Sequence, residues 1–170
     1  MTFWDMMNDR PSPEGFDIKQ VCLHGHVINN RVVVDPGYNE DFCKTCGAKT
    51  ITSCPSCNAN MRGFDHDSNL FGFPDPAPSY CIKCGAAFPW RQSLIDAAVE
   101  LAQEGSSADD GTLLTLRESM GDLGKDSPRT ELAIVRVKKF IAGAGKAVAP
   151  SLTKMAFDLG TDAVKKHFGI

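Results

Sequence analysis

Residues 42–57 read Phe42-Cys43-Lys44-Thr45-Cys46-Gly47-Ala48-Lys49-Thr50-Ile51-Thr52-Ser53-Cys54-Pro55-Ser56-Cys57, two Cys-x-x-Cys pairs joined by one short segment. A third pair follows at Cys81 and Cys84, and a lone Cys22 opens the stretch Cys22-Leu23-His24-Gly25-His26. With seven cysteines in the chain, one histidine brings the count to the eight ligands that two four-coordinate ions require. A Cys-x-x-Cys loop turns tightly enough to set two thiolates on one ion, and two such loops complete a tetrahedron with sulfur at about 2.3 Å. Gly47 and Gly85 follow the second cysteine of their pairs, where the chain must turn away and a left-handed conformation suits glycine. Pro55 pre-sets the bend of its own loop. In Cys22…His26 the reach of imidazole matches one extra residue of spacing, so His26 is preferred as ligand over its rival His24.

Other uses of the cysteines fit less well. Disulfides would leave one thiol over, and Met1 to Asp9 has neither the basic start nor the apolar run of a secretory signal. A redox reading wants a strand-helix setting that Cys43–Cys46 and Cys81–Cys84 lack. Inert core cysteines would not come in pairs at one spacing.

Taken in chain order, Cys22, His26, Cys43 and Cys46 form one site, and Cys54, Cys57, Cys81 and Cys84 the other. A cross-braced arrangement, in which half-sites one and three share an ion, stays open because spacing alone does not fix connectivity. Between the first two half-sites, Val27-Ile28-Asn29-Asn30-Arg31-Val32-Val33-Val34 predicts a β-hairpin turning at Asn29-Asn30. The stretch from Cys57 to Cys81 predicts a long loop with aromatic anchors. The predicted fold is small α+β: tandem zinc ribbons built on short β-hairpins at 18–50 and 51–90, then an α-helical region at 91–170 of about four helices. Two Zn2+ ions are expected, both structural, because each has all four positions filled by protein. Ribbons this small cannot bury a sufficient core, and the metal replaces it.

From Arg91 the apolar period becomes helical. Leu94, Ala97, Ala98, Leu101 and Ala102 mark one helix up to Gly105, and Leu113, Leu116, Met120 and Leu123 a second. Ser127-Pro128 predicts an N-cap and a first-position proline for a third helix, striped by Ala133, Val137, Phe140 and Ile141. Gly143, Gly145 and Pro150 break it, and Leu152 to Phe168 continue as a fourth. None of these runs approaches a membrane span. Charge is segregated: residues 91–127 carry three basic and eight acidic side chains, and 128–170 carry eight and three. The lysines read as the solvated face of helices packed on an acidic pair, with an anionic membrane surface as the other reading. Gly143-Ala144-Gly145-Lys146 is no phosphate loop, since Ala147 stands where Ser or Thr would hold magnesium. Asp65-His66-Asp67 reads as a solvated loop tip.

The opening at Cys22, Phe42-Cys43-Lys44-Thr45-Cys46-Gly47, Thr52-Ser53-Cys54-Pro55-Ser56-Cys57, Tyr80-Cys81-Ile82-Lys83-Cys84-Gly85 with Phe88-Pro89-Trp90, and Ser127-Pro128-Arg129-Thr130-Glu131 occur together. In this combination the chain resembles a family of uncharacterised bacterial proteins, domain of unknown function 2321, with zinc ribbons in front and helices behind. The resemblance covers nearly the whole chain after about residue 17. It implies a bacterial cytoplasmic protein, supports His26 as ligand, and brings no activity with it.

The expected function is that of a non-enzymatic zinc-binding protein. Its ribbons act as a protein-interaction module, and its helical tail binds a partner or self-associates. Candidate contacts are Phe64, Phe71 and Phe73 in the aromatic loop, and Lys138, Lys139, Lys165 and Lys166 on the tail. The alternatives are a nucleic-acid-binding regulator and tail-mediated association with a membrane surface. Against nucleic acid, residues 1–90 carry seven basic and ten acidic side chains, so the ribbon half lacks a footprint for phosphate. Against catalysis, no Ser/His/acid or Cys/His set remains once the ligands are assigned.

Overall fold

The computed structural model describes residues 15–67 and 76–168. Phe71 and Phe73 lie outside the described residues. The chain divides into two compact units, Met1–Trp90 and Arg91–Ile170.

The first unit carries five short strands, β1 (Phe16–Ile18), β2 (Gln20–Cys22), β3 (Val27–Asn29), β4 (Thr50–Ile51) and β5 (Arg62–Asp65). All pairings are antiparallel: β1 with β5, and β2 in the middle of a β3-β2-β4 sheet. The two-residue period of a strand sends Val21 to one face of β2 and Gln20 and Cys22 to the other. Val21 joins Met61 and Phe88 in an apolar core completed by Cys54 and Cys81. Gln20 is buried but satisfied: its amide donates to the Glu40 carbonyl (2.8 Å) and Thr50 Oγ1 (2.9 Å), and its Oε1 accepts from Glu40 N–H (3.1 Å). The Trp90 ring stacks on Phe88 at 4.7 Å and donates Nε1–H to the Pro78 carbonyl.

The hairpin expected within Val27–Val34 does not form. Val27–Asn29 pairs instead with β2, across the turn at Cys22–His26. Val32–Val34 makes a turn whose Val33 and Val34 N–H groups donate to the Asp17 carboxylate (2.9 and 3.3 Å). Asn29 is not a turn tip either. It is buried, donating to the Asp35 carbonyl and Asn39 Oδ1. Two polar side chains outcompete the strand propensity of the valines.

Asp17 also accepts from Ile18 N–H (2.6 Å) and lies 3.4 Å from His66 Nε2, both side chains being almost wholly buried. His66 therefore is not part of a solvated loop tip; it packs edge-on against Phe64. Burial works against the Asp17 charge, but the N–H groups of Val33, Ile18 and Val34 and the His66 ring outweigh it, holding this carboxyl below the ordinary aspartate value. Removing the charge while keeping the shape, as in Asp17→Asn, is expected to cost about 2–3 kcal/mol at neutral pH. A group whose folded pKa is depressed stabilises above its unfolded pKa and stops doing so as pH falls through the folded one. The gap between wild type and Asp17→Asn in urea melts is therefore full at pH 7 and closes below about pH 4.

The second unit contains five helices among the described residues: α1 (Pro89–Gly105, whose first two residues belong to the first unit), α2 (Asp110–Leu123), α3 (Thr130–Gly143), α4 (Ala149–Leu159) and α5 (Asp162–Phe168). Asp109 caps α2 by accepting the Thr112 N–H at 2.7 Å. α3 starts at Thr130, two residues later than Ser127-Pro128 predicts, because those residues form a preceding turn closed by Thr130 N–H on the Ser127 carbonyl. The expected single helix from Leu152 to Phe168 is two. It breaks at Gly160, whose backbone is extended, and Thr161 Oγ1 faces the Val164 N–H to restart α5. The core gathers Ile95, Ala98 and Val99 of α1, Leu116, Met120 and Leu123 of α2, Ile134 and Val137 of α3, Leu152 and Leu159 of α4, and Val164 and Phe168 of α5. No helix among the described residues is long and apolar enough to cross a membrane.

Candidate metal centres

The Cys-x-x-Cys segments share one backbone design. In each, the first cysteine's N–H donates to a carbonyl five residues on: Cys43 to Ala48, Cys54 to Ala59 and Cys81 to Ala86, at 2.8–2.9 Å. In each, the residue after the second cysteine returns its N–H to the first cysteine's carbonyl: Gly47 to Cys43, Asn58 to Cys54 and Gly85 to Cys81, at 2.7–2.8 Å. That residue is left-handed every time, at φ 70° for Gly47, 58° for Asn58 and 73° for Gly85. The three knuckles are thus an internal repeat, Cys-x-x-Cys-Gly/Asn-Ala, flanked by bridges Phe42–Lys49, Ser53–Asn60 and Tyr80–Ala87. Asn58 takes the glycine position because asparagine tolerates this region best among residues with a Cβ. Asn58→Gly is expected to leave the melting temperature unchanged or slightly raised, and Asn58→Val to cost about 1–2 kcal/mol by thermal denaturation.

At Cys22 the hydrogen-bonded turn closes one residue sooner, although its two ligands stand one residue further apart in the chain. Cys22 N–H donates to the His26 carbonyl (3.0 Å), and Gly25 N–H returns to the Cys22 carbonyl (2.9 Å). Gly25 is also left-handed (φ 88°), and a Cβ there would press on Trp90 at 3.1 Å. The tighter loop leaves His26 Nδ1 pointing inward while His24 is exposed and outside the cluster.

These loops bring eight ligand atoms into two groups, Cys22, His26, Cys43 and Cys46, and Cys54, Cys57, Cys81 and Cys84; within each, all atoms lie within 4.8 Å of one another. Pairing follows chain order, not the cross-braced alternative. His26 Nδ1 is 3.5 Å from Cys22 Sγ and 3.6 Å from Cys43 Sγ, and Cys22 Sγ is 3.7 Å from Cys46 Sγ. In the second group, Cys54 and Cys84 are 3.8 Å apart and Cys57 and Cys81 3.7 Å. Bonded sulfurs would stand at about 2.05 Å. A tetrahedron with sulfur at about 2.3 Å and nitrogen at about 2.0 Å from its centre has edges of about 3.8 Å between sulfurs and about 3.5 Å from sulfur to nitrogen. These separations match those edges, so both groups fit a four-coordinate ion with every position taken by protein.

The thiols within a group are unequal. Burial opposes ionisation of Cys43, but the N–H groups of Thr45 and Cys46 and the neighbouring Cys46 and Cys22 thiols pull it down to about 6. At Cys81 the N–H groups of Cys84 and Lys83 prevail over burial, again to about 6. Cys57 has the Ala59 N–H in its favour, but the crowding thiols of Cys84, Cys81 and Cys54, together with burial, push it up to about 12. One sulfur in each group thus ionises readily and offers an arriving cation a thiolate.

The remaining candidates are dispersed. The Phe64 ring is half-buried under the Arg31 guanidinium, 5.3 Å away, and beside His66. Lys138 lies over Phe168, and Lys165 over Phe157 while pairing with Asp162. Lys166 is exposed, and Lys139 lines a groove of about 670 Å³ with Arg136, Phe140, Thr112 and Thr115. Sequence reading missed this groove, whose walls meet only where the consecutive helices α2 and α3 pack side by side. It also missed the solvent-facing Tyr38 and Phe42, because one aromatic beside a knuckle carries no sign of which way it points.

The chain is therefore a protein with two four-ligand sites able to hold metal, followed by a helical unit. It belongs to a family of uncharacterised proteins conserved in bacteria, domain of unknown function 2321, whose model matches residues 15–168. No curated protein and no solved structure matches the chain.

Proposed function

We propose that both centres hold structural Zn2+ and that the protein is a non-enzymatic interaction module, with the metal supporting its first unit and the helices offering the partner surface. The observation that carries the metal reading is the tetrahedral spacing of three thiolates and an imidazole in one group and four thiolates in the other. Such donor sets select zinc, with iron as the competitor for a four-sulfur site. Filled positions leave no place for a metal-bound water or substrate, which supports a structural role. Elemental analysis of protein purified without added metal should return two zinc ions per chain. Iron with visible charge-transfer absorption would overturn that assignment.

A partner surface is supported by the helical unit, which exposes aliphatic side chains and charges without mates among the described residues. Lying on a membrane fits less well. The apolar stripe that would enter lipid, Leu152, Ala156, Leu159, Val164 and Phe168, is buried in the helical core. Partner capture from the native host with intact protein, and with Leu132→Asp/Val135→Asp, tests the module reading. Proteins retained by the first and lost by the second are expected. Identical recoveries would sink it, and tight binding of DNA or RNA at low salt would favour the regulator reading instead.

A further inference from the structure

Three large aliphatic side chains of the helical unit stand in solvent: Leu114 on α2 (58 % exposed) and Leu132 (46 %) and Val135 (62 %) on α3. Each lies opposite its helix's buried face, which is Leu113, Leu116, Met120 and Leu123 on α2 and Ala133, Ile134 and Val137 on α3. The helical period places Asp110 and Glu118 one turn to either side of Leu114, and Arg136 and Lys139 beside Leu132 and Val135. These four charged side chains are exposed, and none of them makes an ion pair among the described residues. Other helical charges do: Arg117 with Asp96, Lys125 and Arg129 with Asp122, and Lys154 with Asp158. One helix thus presents an aliphatic side chain between two free carboxylates, and the helix packed against it presents two aliphatics beside two free cations. The basic face borders a groove between the two helices through Arg136 and Lys139; the α2 wall of that groove includes Thr112 and Thr115, and the carboxylates of Asp110 and Glu118 stand outside it. Both faces turn away from the core that the two helices share. Glu131, at the start of the α3 face, is the single acidic group on its basic side.

We infer that this surface binds a second copy of the chain, with the acidic face of α2 in each copy lying on the basic face of α3 in the other. This rests on the interaction-module reading and names the partner. A twofold contact is self-complementary, so a surface carrying both members of a matched pair satisfies both pairs at once. A lipid headgroup or nucleic-acid backbone fits less well, since Asp110 and Glu118 would meet its phosphates. A 14-residue helix is about 21 Å long. Two side by side make a face roughly 20 Å square, about 800 Å² over both copies and so in the weak, transient range below standard interfaces, and a micromolar affinity is expected.

The experiment is sedimentation equilibrium on the full zinc-loaded chain up to about 100 μM, a ceiling suited to a micromolar dimer. Wild type is expected to dimerise. Asp110→Lys/Glu118→Lys and Arg136→Glu/Lys139→Glu should each weaken self-association at least about tenfold, since like charges then face each other at both contacts. Mixing the two variants in equal amounts restores a dimer, because each then meets its opposite at both contacts. That recovery also shows that neither variant has lost its fold. A monomeric wild type, or two variants that dimerise as wild type does, overturns the inference. So does a mixture that stays monomeric although both variants keep the wild-type melting temperature. The module reading stands or falls separately, on whether capture from the native host returns any partner, further copies of the chain included, that Leu132→Asp/Val135→Asp loses.

Discussion

Stripping both centres with a strong chelator is expected to collapse the first unit and to leave the helical unit folded. The physical ground is a comparison of magnitudes. The fully apolar members of the first core are Val21, Met61 and Phe88, worth on the order of 2 kcal/mol each when buried. A structural zinc site of this ligand type contributes about 10–16 kcal/mol of apparent binding free energy. The strands are two to four residues long and cannot hold together without the knuckles that join them. Cys54 and Cys81 are ligands and core residues at once, so losing the metal also loosens the apolar cluster. Expected results are retention of most of the far-ultraviolet helical signal, loss of amide protection across residues 16–67 and 76–88, and recovery on adding zinc. Hydrogen exchange that is unchanged after complete metal removal would sink the structural role. Single changes should act locally: Cys54→Ser empties the second centre, and only one equivalent of metal should then remain.

The largest single-residue effect outside the metal centres is expected at Arg91. Its side chain is buried, yet it is charged. Nη1–H donates to the Leu159 carbonyl at 3.1 Å and Nη2–H to the Gly121 carbonyl at 3.0 Å. Those carbonyls lie in the last turns of α4 and α2, where the backbone has no helical donor left. Two helix C-termini, each carrying partial negative charge, therefore converge on one guanidinium. Arg91→Met keeps much of the apolar stem and leaves these acceptors without this donor in a dry environment. The expected loss is about 3–5 kcal/mol, from two charge-assisted hydrogen bonds and the desolvation they offset. Arg91→Lys should recover only part of it, because one ammonium does not span two divergent carbonyls as a planar fork does. Gly124→Ala should be destabilising by the same route, since a Cβ there would run into the guanidinium. Urea denaturation of the three variants checks all of this. A loss below about 1 kcal/mol for Arg91→Met, the size of an ordinary surface change, would mean that the guanidinium is not what joins these helices.

Much of this protein was legible because its chemistry is local. A Cys-x-x-Cys loop presents two sulfurs wherever it occurs, so the seven cysteines and their half-sites could be read directly, with His26 preferred over His24 as the eighth ligand. The helices from 89 to 159 were equally legible through their apolar period. What escaped were places where a polar group decides the backbone from far away in the chain. Val32–Val34 has every mark of a strand, but the Asp17 carboxylate takes its N–H groups. His66 sits between two aspartates and reads as solvated, yet it is buried against a third, Asp17. Arg91 reads as the polar start of a helix and becomes the donor between two others. Asn58 reads as an ordinary loop residue until its φ of 58° places it in the glycine slot of a third knuckle.

The sequence by itself determined which residues can bind metal, that the front is short-stranded and the rear helical, and where charge of each sign is concentrated. Ligand type, turn chemistry and helical period are properties of residues a few positions apart, so they need no fold to be read. Only the tertiary structure decided that half-sites pair in chain order, that His26 presents Nδ1, and that one buried arginine closes two helix ends. It alone decided that the helix with the acidic face packs beside the helix with the basic one. Those outcomes depend on which distant groups meet out of water, where an unmet hydrogen bond or charge costs more than any local preference can return.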